Sequence, residues 1–392
     1  MNSMQKPLLT FLIAGFQHER FVREAVEAAF AQTYSPLEII LSDDCSQDGT
    51  FELMRQAAAA YRGPHHIVLN RNPIRRSLGG HLNQLMGMST GEFIVIAAAD
   101  DVSAPERTSA IYEAWNCGGR KATSIHSAYV QIDENGREIA NAFPERAKHQ
   151  SDVPPSPSDF VRTLRPTVFG CTHAFSKKLF DVFGNVPEDL IHEDDVLGLR
   201  SLLAGSITFI DRPLVRYRIH GNNVYAAQKQ CDTRENLSQL AAQEAKDRRN
   251  IHNRKIMYVA FLSDLVKAQR LSLIADEEFK AASLEALQRR RYFQWIEEYL
   301  ESGFVSKLRK LNHLRHERLE PGDYRILLVR LLPVQSRLRV RLALNYVARM
   351  RRYAMSALRL LGQLRIGARP LREQENWGGV PRVFVGRFAR SK

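Results

Sequence analysis

The run Phe93-Ile94-Val95-Ile96-Ala97-Ala98-Ala99-Asp100-Asp101 is apolar until it ends on two adjacent carboxylates. Runs of the same kind come earlier in the chain, at Leu8–Ala14 and Leu37–Leu41, and the second opens into a polar loop, Ser42–Gly49. Between them the period changes. Glu19–Gln32 places Phe21, Ala25, Ala28 and Ala29 at helical spacing, and helices are also expected from Thr50 to about Tyr61 and over His81–Ser89. His66–Leu69 reads as a further strand, followed by the turn-rich Asn70–Gly80. Short apolar strands alternating with helices of this length predict an α/β fold: βαβ units in a parallel sheet covered on both faces. Ligands of such sheets gather at the carboxyl ends of the strands, where the loops after Ala14, Leu41 and Ala97 fall.

Beyond Thr123 the alternation loosens. Ile125–Ile132 and Glu138–Ala140 flank Asp133-Glu134-Asn135-Gly136, a hairpin turn by composition. Ser151–Ser158 holds three prolines and reads as a loop over the site. Cys171–Phe175, Ile207–Ile210 and Leu214–Ile219 read as strands and Asp194–Leu203 as a helix, and from about Ala226 the pattern is helical.

The chain has 392 residues, 44% hydrophobic and 25% charged, enough for a large core without disulfides. Cys45, Cys117, Cys171 and Cys231 are far apart, which excludes a zinc ribbon or disulfide framework and fits a reducing compartment. The start lacks the pattern of a cleaved secretory signal, and no apolar run approaches the ~20 residues of a membrane span. The net charge of +13 is unevenly divided. Residues 1–224 hold 22 basic and 26 acidic side chains, and residues 225–392 hold 34 and 17. A catalytic or binding module over residues 1–225, followed by a basic helical region over 226–392 suited to an anionic surface, is the expected organisation.

Three acidic clusters stand at loops. Asp43-Asp44-Cys45-Ser46 follows a strand; Asp48 and Thr50 can cap the next helix, or a carboxylate can accept hydrogen bonds from a ligand. Asp100-Asp101 repel each other unless a cation or donor lies between them, and a hard divalent ion suits such a pair. The plainer reading is a helix start, with Ser103 and Pro105 capping and opening it. Glu193-Asp194-Asp195 gain from a helix macrodipole, but a carboxylate there can also take a proton from an attacking hydroxyl.

Taken in order, these residues resemble the family 2 glycosyltransferases of GT-A fold, from about Leu8 to Tyr225. The likeness rests on Gln32-Thr33-Tyr34, on Ser42-Asp43-Asp44-Cys45-Ser46-Gln47-Asp48-Gly49-Thr50, and on Gly79 with Asn83. It continues through Gly91-Glu92-Phe93-Ile94 into Asp100-Asp101, then Glu193-Asp194 with Leu197 and Arg200, and Tyr217-Arg218-Ile219-His220. The resemblance implies a nucleotide-sugar donor, a divalent cation (manganese or magnesium) and inversion at the anomeric carbon. It also implies roles. Asp44 reads the nucleotide base, Ala14, Phe16 and His18 contact base and ribose, and Asp100 lies near ribose and metal. Asp101 ligates the cation, and Asp194 is the base that deprotonates the acceptor hydroxyl. Glu193, Arg218 and His220 are candidates for the diphosphate or acceptor region, with an exposed strand pair the alternative for Arg218 and His220.

The sequence departs from the family where Ala14-Gly15-Phe16-Gln17 replaces a common Pro-Thr-Tyr-Asn, and where Ala98 replaces the first acid of a fuller Asp-x-Asp pattern. Cys45 is expected to be a small buried filler. His173, His192 and His65-His66 read as packing or surface residues. In the basic region, residues 301–392 hold 21 basic and 6 acidic side chains, and Arg325–Ile366 mixes leucines with arginines. Such a segment can lie on an anionic membrane, pack on the catalytic module, or bind nucleic acid, the last without a supporting motif. The membrane surface is preferred, because acceptors in this family are often lipid-linked glycans. The expected protein is cytoplasmic and able to rest on the inner membrane face, building a cell-surface polysaccharide or glycolipid. Two alternatives stand beside it. One is a degenerate module that tethers a saccharide-synthesis complex. The other is a nucleotidyltransferase, opposed by the lack of a glycine-rich basic loop at Ala14–His18. The sugar, acceptor, linkage and oligomeric state stay open.

Overall fold

A computed structural model describes residues 6–139, 155–165, 168–221, 223, 237–303 and 306–307. In chain order the first half runs β1 (Leu9–Gly15), α1 (Val22–Phe30), β2 (Leu37–Asp43), α2 (Thr50–Ala60), β3 (His66–Arg71), α3 (Leu78–Met88) and β4 (Phe93–Ala98). There follow β5 (Val102–Ser103), α4 (Arg107–Cys117), β6 (Ala122–Ile132), α5 (Pro157–Thr163), a 3-10 turn Gly170–Thr172 and β7 (Ala174–Ser176). The rest is α6 (Lys178–Phe183), α7 (Glu193–Ala204), β8 (Ser206–Arg218), α8 (Leu237–Arg270) and α9 (Asp276–Glu301).

Among the described residues the strands form one mixed sheet, in the order β3-β2-β1-β4-β7-β6-β8-β5. The first four are parallel, with Phe11 opposite Ile39 and Val95, and Leu12 opposite Ile40 and Ile96. Side chains alternate across a strand, so these runs serve two cores. Leu12, Ile40 and Ile94 join α3, α5, α6, α7, α8 and α9 on one face; Phe11, Ile13, Ile39 and Leu41 meet α1, α2 and α4 on the other. Burial on both faces explains why the strands read as continuous apolar runs. The chain winds outward from β1 to β3 and then returns to β4 on the other side of β1. That reversal is the topological switch point, and it opens a crevice beyond Gly15 and Ala98.

Several sequence expectations are corrected. The sheet is not wholly parallel, since β7 runs against both β4 and β6, and β5 against β8. Ser103 belongs to β5 and accepts from Arg107, and α4 starts at Arg107 without a side-chain cap. Ser156 caps α5 and Pro157 opens it, so the end of Ser151–Ser158 is a helix start; residues 151–154 lie outside the described residues. The two strands expected over Ile207–Ile219 are one, β8, whose polar Asp211-Arg212 interruption is an irregularity in its pairing with β6. Cys171 sits in the 3-10 turn rather than a strand. Cys45 is partly exposed with φ at 64°. The hairpin is present: Gly136 takes φ 79° and Ile132 bridges Glu138 antiparallel, with Ala140 beyond the described residues.

Helices α8 and α9 share the core of the sheet through Met257, Phe261, Leu265, Ala268, Ala282 and Ala286. A buried ion pair ties α7 to α8, with Arg200 Nε 2.7 Å from Asp264 Oδ2 and Nη2 3.2 Å from Oδ1. No described helix is long and apolar enough to cross a membrane. Arg325–Ile366 lies outside the described residues.

Candidate active site

The first wall of the crevice is the pair of loops after β1 and β2, stapled main chain to side chain. Gln17 N–H donates to Ser46 Oγ (2.8 Å), His18 N–H to Thr50 Oγ1 (2.8 Å) and Glu19 N–H to Asp48 Oδ2 (3.1 Å). Asp48 Oδ1 also accepts from Thr50 N–H and Oγ1, but the cap position of α2 is Gly49, which has no side-chain cap, so the expected Asp48 and Thr50 oxygens fasten the loops instead. Gly15 fits closely here, since a Cβ would stand 3.0 Å from Met54 and 3.1 Å from Ala99, and these neighbours would have to give by a few tenths of an ångström. Asp43 is wholly buried and accepts from Ser46 N–H at 2.9 Å, which makes it a loop-former. Asp44 accepts from Asn72 Nδ2 (2.7 Å) and Arg76 N–H (2.9 Å), both on Oδ1. Ala14 ends the same strand face, and the Arg75 guanidinium lies 3.8 Å over the half-buried Phe16 ring.

The second wall is β4 and the end of β8. Asp100 Oδ2 lies 3.0 Å from His220 Nε2 and 3.7 Å from His18 Nε2. Burial raises the Asp100 carboxyl, but the His220 hydrogen bond and the His18 ring outweigh it, and the net direction is down. Burial pushes the His18 imidazole below its ordinary value, more than the Asp100 charge lifts it. Asp101 moves the other way: burial first, then the charge of Asp100, hold it well above the carboxylate range. Its Oδ1 accepts from Arg218 N–H at 2.9 Å, whereas Oδ2 is buried without a partner. A buried, unpartnered carboxylate oxygen beside a second carboxylate suits a hard cation. His18, Asp100 and His220 each bring one donor atom within 4.8 Å of the others, so the donor chemistry fits a divalent ion.

Arg218 and His220 are not the exposed strand pair that alternation suggests. Arg218 is fully buried, donating to the Asp100, Asp133 and Glu134 carbonyls and to Glu24 Oε2 at 2.8 Å. Its guanidinium is spent on holding α1, the β4 end and the hairpin together. The His220 side chain is only 5% exposed, against Asp100.

The third wall is the start of α7. Asp194 Oδ2 accepts from Gly170 N–H at 2.8 Å, and Oδ1 is buried without a partner. Burial and the neighbouring Asp195 raise its pKa to about 7, against the pull of the Gly170 hydrogen bond. A quarter of the side chain still reaches solvent. Glu193 is raised well above its ordinary range by burial and Asp194, and Asp195 is taken up by Arg254 of α8 at 2.7 Å. Cys171 connects this wall to the second: burial first, then Asp101, Asp194 and Asp100, push its thiol up. The Cys171 thiol thus lies within electrostatic reach of both the Asp100-Asp101 pair and the α7 carboxylate.

Residues 10–183 match Glycosyl transferase family 2. This stretch is a glycosyl transferase family 2 domain. Relatives of the family 2 domain carry glycosyltransferase names. "Putative glycosyltransferase EpsE" of Bacillus subtilis is 35% identical over 107 residues, 27% of this chain and 37% of that protein. "Succinoglycan biosynthesis protein ExoO" of Rhizobium meliloti is 30% identical over 133 residues, 34% of this chain and 36% of that protein. The chain thus spans little more than a third of either relative. The fold extends past the domain: the crystal structure of S. aureus TarS 1-349 superposes with TM-score 0.50 at 14% identity, covering 89% of this chain and 91% of that one. The chain therefore has a GT-A-like sheet followed by C-terminal helices.

The structure groups His18 and Asp100 of the family 2 domain with His220 beyond its end, sets Asp101 beside them, and places Ala14, Phe16 and Asp44 on the adjoining wall. Gly170, His173 and Asn223 are additions that sequence reading misses. Asn223 Nδ2 donates to the Arg218 carbonyl at 2.9 Å and lies 3.4 Å from Asp100 Oδ2. His173 is fully buried beside Asp194, although its sequence neighbours suggest plain packing.

Proposed function

We propose that this chain moves a sugar from a nucleotide-diphosphate donor to a hydroxyl of a saccharide or lipid-linked saccharide, with inversion. The observation that carries the reading is Asp194, a carboxylate with one oxygen fixed, the other unpartnered and a pKa of about 7. A general base works best when its pKa lies near the operating pH. Asp194 takes the proton from the acceptor hydroxyl as that oxygen attacks the anomeric carbon. The bond from that carbon to the diphosphate breaks on the opposite face.

The switch-point crevice receives the nucleoside. Asp44 accepts from the base, Phe16 under Arg75 offers a flat apolar wall, and Ala14 leaves room beside them. His18 and Asp100 face the ribose side. Asp101, with Asp100 and His220 at hand, would hold a divalent ion, manganese or magnesium, which neutralises the charge that develops on the leaving diphosphate. Glu193 belongs to the acceptor side by its place next to Asp194. Arg218 acts on this site through Asp101 and Asp100, whose positions it fixes.

Succinoglycan synthesis in the name of one relative supports a role in polysaccharide assembly. The basic stretch of residues 301–392 supports contact with an anionic membrane at the cytoplasmic face, where a lipid-linked acceptor would stand. Thermal stability against a panel of nucleotide sugars, with and without manganese, tests the donor side in wild type and Asp101→Ala. A cation-dependent rise with one donor, absent in the variant, is expected by mass action. Asp194→Asn tests the base: transfer falls by at least about 100-fold while the donor-induced rise persists. Transfer at near wild-type rate in that variant would show the assignment to be wrong.

A further inference from the structure

His173 leaves the 3-10 turn at Gly170–Thr172 and enters β7, and its carbonyl accepts from Ile96 N–H at 3.1 Å. The ring is fully buried, with Nε2 2.6 Å from Ser124 Oγ on β6. The buried Ser124 hydroxyl has this ring as its one partner among the described residues; with its hydrogen on Nε2, the ring proton sits on Nδ1, the tautomer the proposal uses. The opposite tautomer would strand the hydroxyl hydrogen and point an Nδ1 lone pair at a carboxylate. Nδ1 has no partner in the described structure, and it faces Asp194 Oδ1, which has none either, across 4.0 Å.

We propose that His173, oriented by Ser124, is the positioning residue that donates Nδ1–H to Asp194 Oδ1 and fixes the rotation of that carboxylate toward the acceptor hydroxyl. Gly170 N–H already holds Oδ2, so one turn addresses both oxygens. A gap of 4.0 Å is too long for a hydrogen bond, and such contacts commonly tighten only in the substrate complex. Burial, with His126 and Arg107 adding to it, holds the imidazole at about 3, so the ring acts as a neutral donor. Around Asp194 stand Glu193 and Asp195 on α7, Cys171 on the turn and Arg254 on α8, which is committed to Asp195. None of these offers Oδ1 an N–H among the described contacts.

The inference rests on Asp194 being the base, so the two are tested together. kcat and KM are measured from pH 5 to 9 for wild type, His173→Phe, His173→Asn, Ser124→Ala and Asp194→Asn, with melting and donor-induced shifts as the folding control. His173→Phe should lower kcat by about 10- to 100-fold with acceptor KM changed less than about threefold. Its acid limb should move up by roughly one pH unit, because a lost donor favours the protonated carboxyl. His173→Asn, with an amide N–H near the Nδ1 position, should recover most of the rate and return the limb. Ser124→Ala should fall between them. Equal loss in the Phe and Asn variants with an unmoved limb would make His173 structural and overturn the proposal, as would a wild-type profile in His173→Phe. If His173→Phe does not fold, the limbs of His173→Asn and Ser124→Ala decide: a Ser124→Ala limb at the wild-type position overturns it. Transfer surviving in Asp194→Asn defeats the base reading itself; transfer lost there with unaffected His173 variants defeats this inference alone.

Discussion

Replacing Gly170 by alanine should disable the base without unfolding the protein. A Cβ on Gly170 would stand 2.9 Å from Asp194 Oδ2 and 3.0 Å from Oδ1, where ordinary contact begins at 3.4 Å. The Gly170 backbone is outside the left-handed region, so alanine meets no conformational strain. The carboxylate must therefore withdraw by roughly half an ångström, against about 1 Å for a 100-fold loss in rate, which sets an expectation near 10-fold. Withdrawal also stretches the 2.8 Å bond from Gly170 N–H, one of the influences that lowers the Asp194 pKa. Losing it lifts that pKa further above 7 and removes more of the active form at neutral pH. Together the effects predict kcat down by about 10- to 100-fold at pH 7, or ~1.4 to 2.8 kcal/mol, recovering in part toward pH 9. Initial rates of transfer across pH, beside the melting temperature and the donor-induced shift, provide the assay. An unchanged kcat at pH 7 in folded Gly170→Ala would refute the reasoning, because the carboxylate would then have moved without consequence.

Arg200→Met leaves Asp264 buried without its partner and should cost about 3–5 kcal/mol in urea unfolding. The double variant Arg200→Met/Asp264→Leu should recover most of it; a single-variant cost below about 1 kcal/mol would mean that α8 is not anchored through this pair. Burial raises Asp194 from 3.8 to about 7, so the folded chain holds that proton more tightly than the unfolded chain. Its contribution favours folding below pH 3.8 and is lost as pH rises through about 7. Asp194→Asn should then melt above wild type at pH 8, with the gap closing toward pH 4; a gap independent of pH contradicts the shift. Protein ending at Gly303 retains the packed α8 and α9 and should lose binding to anionic vesicles, measured by co-sedimentation; undiminished binding would place the contact elsewhere.

The parallel half of the sheet was readable because β1, β2 and β4 are buried on both faces and mostly apolar; the polar pair inside β1 and β2 satisfies itself, Thr10 Oγ1 donating to Glu38 Oε2 at 2.7 Å. The polar residues that mark the family resemblance turn out to be partly structural. Gln32 uses its whole amide, accepting from Thr108 and donating to the Ala28 and Ala104 carbonyls, and Tyr34 Oη donates to the Pro7 carbonyl. Asn83 exchanges two hydrogen bonds with Val186, and a Cβ on Gly79 would meet the Pro187 carbonyl at 2.3 Å. Such positions tie distant segments together, so their order along the chain carries the topology. The antiparallel half was less legible. β5 has two residues and β7 three, too few for any period to declare itself. Arg218 alternates like a surface arginine, and only the carbonyls brought by β4 and the hairpin, with Glu24 from α1, make its burial tolerable. His173 gains its meaning from Ser124 and Asp194, which lie 49 and 21 positions away in the sequence.

The seam between β4 and β7, where strand direction reverses, has an evolutionary consequence. On the proposed reading, the groups that meet the nucleotide hang from β1, β2, β3 and β4, with His220 after β8 joining them at the cation. The groups around the attacking hydroxyl hang from the turn before β7 and from α7. Cys171, within reach of Asp100, Asp101 and Asp194, and His173, whose carbonyl accepts from Ile96 of β4, stand where both halves are felt. Divergence on one side of the seam therefore need not disturb the other, and lineages can exchange acceptors while keeping an inherited donor, much as a tool takes a new bit in the same chuck.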